Sequence, residues 1–176
     1  MTWYKIAKKE EKIEEPTQDM IDFFEKRTKE HIDRAIDAAK EIVDAGKFGK
    51  ELIERTKKHD ASKYGDEERV PYIWITDYYR KTNNGEDYTY PPGMEEKTNA
   101  VSGKHVKKNR HHPEAHNSPK DMTDLDIAEM VCDWESMSRE LGGTTKEWAD
   151  NNVGSKWKFT DKQKDLIYDL ISVFEE

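Results

Sequence analysis

Five of the chain's six histidines fall into a pattern with two carboxylates. His59-Asp60 is followed three residues later by Lys63; His31 lies upstream, and His105, His111-His112 and Asp133 lie downstream. Neutral imidazole with carboxylate is the donor set that borderline divalent transition metals prefer, whereas Mg²⁺ and Ca²⁺ favour all-oxygen sites. A set of this kind acidifies water and clamps phosphoryl oxygens, so metal-assisted hydrolysis is the chemistry it suits. Lys63 and the basic residues near His105 would add positive charge for an anionic substrate.

These residues need elements to bring them together. Thr17 is a good N-cap for a helix running to Asp44, with Met20, Phe24, Ala35, Ala38 and Ile42 at helical spacing. His31 lies on that apolar stripe, and Ala45-Gly46 ends the helix. A second helix is expected over Lys47–Asp60, placing His59-Asp60 near its C-terminal end, with Lys63 one turn beyond. A third is expected from Glu67 to about Arg80. Asn83-Asn84-Gly85 and Pro91-Pro92-Gly93 mark residues 82–96 as a loop, long enough to be a candidate lid or specificity loop.

Lys97–Asn109 reads as a helix stopping before Pro113, with His105 and His112 able to share a face and His111 pointing away. Leu125–Leu141 reads as a helix capped by Thr123/Asp124 and ended by Gly142-Gly143. Asp126, Glu129 and Asp133 form one acidic face on it. Asp133, beside Val131, Cys132 and Trp134, is the preferred ligand; Asp126, near the dipole-favoured helix start, is the alternative. Thr145–Asn152 is a short helix, and Thr160 with Gln163 forms a capping box for a last helix to Phe174. Nothing alternates with period two for long enough to require a sheet. The expected class is all-α, a single domain with a lead-in over 1–16, a helical core over 17–141 and an extension over 142–176 packing through Trp148, Trp157, Leu166, Leu170 and Phe174.

Bulk properties narrow the function. The hydrophobic fraction is 34% and the charged fraction 39%, yet five Trp, eight Tyr and five Phe supply a core. The net charge of −8 argues against general nucleic-acid binding, which rests on neutralising phosphates. Lys97, Lys104, Lys107, Lys108 and Arg110 form a local basic run without an acid between Lys97 and His112; taken alone it reads as a solvated helix face. The single Cys132 excludes an intrachain disulfide and fits a reducing compartment. Met1–Glu15 lacks the apolar centre of a signal peptide, and no apolar run approaches the roughly 20 residues of a membrane span. A soluble, cytoplasmic protein without membrane association is expected, its oligomeric state left open.

The order His, His-Asp, His, His-His, Asp resembles the HD superfamily of metal-dependent phosphohydrolases over roughly Thr17 to Leu141. The resemblance implies an HD-like helical bundle with His31, His59, Asp60 and Asp133 around one metal. His105 and His111-His112-Pro113-Glu114 are similar to the insert that completes a second metal site in two-metal members, though the six-residue step from His105 to His111 is shorter than in the cyclic-dinucleotide branch, whose Gly-Tyr-Pro signature is absent. His116 has no counterpart. His-Asp-Ala-Ser-Lys is similar to the His-Asp-x-x-Lys of some two-metal members, where the lysine meets a phosphate.

What the resemblance implies is one or two divalent transition ions (Mn, Fe, Co, Ni or Zn), Asp60 and Lys63 as catalytic residues, and Lys63 and Arg110 at an anionic, nucleotide-like substrate. The expected reaction is phosphoester or phosphoanhydride hydrolysis. An HD-fold di-iron oxygenase and a non-catalytic, metal-stabilised helical domain are the alternatives. His-Asp-x-Ser-Lys, Asn-x-His-His-Pro-Glu and an Asp-Trp helix are together similar to uncharacterised HD-like proteins of bacteria and their phages.

Overall fold

The computed structural model describes residues 14–175; the lead-in expected over 1–16 lies almost wholly outside them. Among the described residues there are seven α-helices and no strand, only an isolated bridge between Val153 and Trp157. They form a single all-α domain. No helix among them is long and apolar enough to cross a membrane.

Helix α1 (Gln18–Asp44) starts at Thr17, whose hydroxyl accepts from the Met20 amide. Its buried stripe runs Met20, Phe24, Thr28, His31, Ala35, Ala38 and Ile42, so His31 is carried inward by the same periodicity that buries the apolar residues. The alanines leave little bulk between α1 and α5 (Asp124–Leu141), and the two meet closely enough for Ser136 Oγ to donate to the His31 carbonyl at 2.8 Å. That pairing is the axis of the fold. Helices α2 (Lys50–Thr56), α6 (Thr145–Asn152) and α7 (Asp161–Ile171) close one core around it, with Ile42, Leu52, Ile127, Met130, Ile167 and Leu170 buried. A second cluster, Met20, Phe24, Ile73, Trp74 and Met94, joins α1 to α3 (Arg69–Asn83) and α4 (Met94–Lys108).

Several boundaries differ from the sequence expectation. Helix α2 ends at Thr56 rather than Asp60, and a turn carries the chain to Asp60, which sits in the left-handed region at φ 55°. Aspartate tolerates this conformation better than most residues. Consecutive helical residues diverge by about 100°, so an unbroken helix could not aim both His59 and Asp60 at one point. The break at Asp60 removes that conflict.

The loop expected over 82–96 narrows to residues 84–93. Helix α3 continues to Asn83 and α4 begins at Met94, after Gly93 at φ 75°. Tyr88 and Tyr90 of the intervening segment pack on the second cluster, Tyr90 stacking on Tyr78 at 5.6 Å between centroids. Partial burial of these two rings fixes the loop against that cluster.

Residues 142–175 supply part of the main core. Trp157, Leu166, Leu170 and Phe174 pack into it, but Trp148 does not and is 49% exposed. Capping boxes open α5 (Thr123 with Asp126), α6 (Thr144 with Glu147) and α7 (Thr160 with Gln163). Each satisfies amides that a helix start leaves unpaired.

Candidate metal centre

His31 from α1, His59 and Asp60 from the turn after α2, His105 from α4, His111 and His112 from the segment after it, and Asp133 from α5 converge on one buried cluster. Three overlapping groups have ligand atoms mutually within 4.8 Å: His31, His59 and Asp60; His59, His111 and Asp133; Asp60, His105, His111 and His112. His111 does not point away. Helix α4 stops at Lys108, and Asn109 is extended with ψ 117°, so helical phase no longer governs residues 111 and 112. Both rings turn inward, 4.1 Å apart between centroids.

The orientation of the rings is consistent. At the outer edges, His31 Nδ1 lies 2.9 Å from Ser136 Oγ, His59 Nδ1 3.3 Å from Glu129 Oε1, and His105 Nδ1 2.8 Å from Glu68 Oε2. Glu129 Oε1 also lies 3.5 Å from His111 Nδ1. Because the Ser136 hydroxyl proton goes to the His31 carbonyl, its oxygen accepts from Nδ1. Carboxylates likewise accept, so Nδ1 carries a proton on all four rings, and a ring in its neutral form presents a bare Nε2 inward. Outer acceptors that fix the tautomer and aim Nε2 are the usual support of metal-ligating histidines.

Asp60 stands between two halves of the cluster. Its Oδ2 faces His31 and His59 Nε2 at 3.5 and 3.8 Å, and its Oδ1 faces His105 and His111 Nε2 at 3.0 and 3.7 Å. Asp133 Oδ1 completes the first half, 3.1 Å from His31 Nε2 and 3.3 Å from His59 Nε2. Donor atoms sharing a cation at a bond length near 2.1 Å lie roughly 3.0–3.4 Å apart. His31, His59 and Asp133 already have these separations, including 3.2 Å between the two Nε2 atoms of His31 and His59, with Asp60 Oδ2 slightly further out.

Asp60 Oδ1, His111 Nε2 and His112 Nε2 are buried and have no hydrogen-bond partner among the described residues. Leaving such groups unpaired costs on the order of 1–3 kcal/mol each. A divalent cation would satisfy all three, so the residues present fit one.

Electrostatics points the same way. Asp60, Glu68 and Glu129 are buried and Asp133 nearly so, while the fixed cations touching them are Lys63 and Arg55. Burial alone would push His59 down, but Asp60, Asp133 and Glu129 outweigh it and lift its imidazolium to about 10. Burial works against the charge of Asp60 too, yet Lys63 and His59 hold its carboxyl well below the usual range. Asp133 is held low, against burial, by His31 and His59. Burial and the neighbouring His111 lower His112 to about 3, leaving it neutral. The cluster concentrates negative charge and favours a cation at its centre.

Lys63 Nζ contacts Asp60 Oδ2 and lies 5.0 Å from the centre of the Tyr72 ring. Arg110 stands apart from the ligand cluster: its guanidinium grips Asp126 at 2.7 and 3.1 Å, although it lines a cleft opening on Asp60 and His111. Asp126 is also paired with Arg55 at 2.5 Å and caps α5, which accounts for its burial without a ligand role. His116 bonds the Arg110 carbonyl.

Three supporting residues were not singled out from sequence. Glu129 carried a usable signal, since it lies one turn before Asp133 on the same face. Glu68 and Ser136 carried none: one follows a turn, the other looks like any small helical residue.

Fold and site together define an all-α domain with a buried His/Asp cluster suited to a metal ion. Residues 20–174 match the profile of a family of unknown function (DUF5662), and the chain belongs to that family. No curated protein and no solved structure matches the chain.

Proposed function

We propose that this chain is a divalent-metal-dependent phosphohydrolase of the HD type, acting on a phosphoester or phosphoanhydride of a nucleotide-like small molecule. The observation that carries the reading is the division of Asp60, one oxygen toward each set of inward Nε2 atoms, with the outer nitrogens of four rings held by Ser136, Glu129 and Glu68. His31, His59, Asp60 and Asp133 would hold one ion, and Asp60, His105, His111 and His112 a second. Mn, Fe, Co, Ni or Zn held by these residues would supply an acidified water and polarise phosphoryl oxygens.

The protein's own groups supply the rest. Asp60 orients the attacking water through its carboxylate. Lys63, beside it, neutralises charge that grows on the phosphoryl oxygens. The cleft over Asp60 and His111 offers Arg55, Lys58, Lys108 and Arg110 to an anion. Of these, Lys58 and Lys108 have no ion-pair partner among the described residues, whereas both arginines are committed to carboxylates. The lysines are therefore the cations best able to take phosphate.

The test is phosphate release from nucleoside mono-, di- and triphosphates and cyclic dinucleotides with Mn²⁺ or Co²⁺. Release that disappears in Asp60→Asn supports the reading. Oxygen consumption by an iron-loaded sample, without phosphate release, would assign the same donor set to a di-iron oxygenase. Metal binding that alters only thermal stability would assign it to a non-catalytic domain.

A further inference from the structure

A cavity of about 550 Å³ opens on the side of the cluster formed by His112 and Asp133, within the usual size range of small-molecule sites. Its wall continues along α5 through Trp134, Met137 and Leu141. At about 1.5 Å per residue this carries the cavity roughly 12 Å from Asp133, enough for a sugar and a ring beyond a phosphate at the cluster. Trp148 and Trp157 face it from the C-terminal part of the chain, outside the segment that resembles the HD family.

The aromatic groups here are unequally fixed. Trp134 and Trp157 are stacked, 5.8 Å between centroids and 14° between planes. Trp157 is held further by its Nε1 donating to Glu114 at 3.2 Å and by Lys156 over its ring at 4.2 Å. Trp148 has no ring partner among the described residues and is 49% exposed at the mouth, beside Leu141 at 59%. Ser138, Glu147 and Asn151 border the same space with hydrogen-bonding groups. A second cleft at the cluster, over Asp60 and His111, carries Arg55, Lys58, Lys108 and Arg110 together with Glu54 and Glu129. The aromatic cavity and the more basic cleft therefore both open on one donor cluster.

We propose that this cavity receives a flat heteroaromatic ring of the substrate, with Trp148 as the free stacking face and Ser138, Glu147 and Asn151 meeting the polar ring edge. The substrate class is then a phosphorylated nucleoside rather than a ringless phosphoester. Placement of the phosphate rests on the hydrolase reading above; occupancy of the cavity by a ring does not. Stacking of a base on an aromatic side chain tolerates many bases, which are told apart by the polar edge.

The test uses the purified full chain and isothermal titration calorimetry with adenosine, guanosine, cytidine and uridine, and ribose 5-phosphate as the ringless control. At least one nucleoside should bind, with roughly tenfold weaker affinity in Trp148→Ala. Leu141→Arg, placing a charged chain at the mouth, should weaken it at least as much; both positions are exposed, so both variants should fold. Ribose 5-phosphate should respond to neither substitution. Absence of nucleoside binding, or binding unchanged in both variants, overturns the proposal. Because nucleosides carry no phosphate, binding without phosphate release from any nucleotide supports the ring site and refutes the hydrolase reading alone.

Discussion

Lys63 Nζ lies 2.5 Å from Asp60 Oδ2, the oxygen that also faces His31 and His59. The chain thus places a cation directly against its central carboxylate, beside the cluster. Lys63 is no ligand, so Lys63→Met should leave metal content unchanged and raise KM for an anionic substrate by roughly tenfold, the scale of one charge-assisted hydrogen bond. Steady-state phosphate release and elemental analysis of the same sample check this. Loss of metal would mean that Lys63 supports the ligands and not the substrate.

Glu129 serves two rings at once, His59 and His111, and also takes Arg55 at 2.5 Å. Replacing it by Gln keeps the size and removes the charge. Outer partners of this kind typically contribute 10- to 100-fold to metal affinity, and Glu129→Gln should fall in that range. Ser136→Ala, which touches His31 alone, should cost less. Competition against a chromophoric chelator measures both; equal affinities in wild type and Glu129→Gln would show that the glutamate only steadies the fold.

Asp126 and Asp133 share a helix face but have different partners, and substitution should separate them. Asp133→Asn should lose metal with a modest change in folding. Asp126→Asn should retain metal and lose stability, since Arg110 would lose its carboxylate and Arg55 would keep only Glu129; with both guanidiniums partly exposed, the cost should fall below the roughly 3–5 kcal/mol of breaking a fully buried pair. Metal content and urea unfolding together decide it, and metal loss in Asp126→Asn alone would reverse the assignment.

The pH dependence of stability follows from the same residue. Burial opposes the charge of Asp126, but Arg110, Thr123 and Arg55 hold its pKa down to about 2 from 3.8. A depressed carboxyl stabilises the fold above its unfolded value and loses that contribution as pH falls through the folded value. Wild type should therefore lose about 2 kcal/mol more than Asp126→Asn between pH 5 and pH 2. Chemical unfolding at the two pH values is the check; parallel losses in both proteins would contradict it.

What the sequence made legible was the burial pattern. The stripe from Met20 to Ile42 gave α1 and the inward His31, and the Thr160–Gln163 box gave the start of α7. Periodicity was silent where the chain leaves the helix, and there the site is built. Asp60 in a left-handed conformation and the extended Asn109 before His111 are tertiary solutions to aiming adjacent side chains at one point, and neither has a sequence signature. The loop was legible but its packing was not: Pro91-Pro92-Gly93 marks a break, and only the structure shows Tyr88 and Tyr90 against the second cluster. Arg110 looked free in a basic run because its partner, Asp126, lies on another helix.

The most direct test of the account is elemental analysis of the mildly purified protein, repeated on Asp60→Asn, whose side chain tolerates the left-handed backbone. Wild type should carry between one and two equivalents of transition metal, and the variant should lose most of it while remaining folded by circular dichroism. A wild-type content near zero, even after reconstitution with Mn²⁺, Fe²⁺, Co²⁺, Ni²⁺ and Zn²⁺ in turn, would contradict the metal centre and everything derived from it.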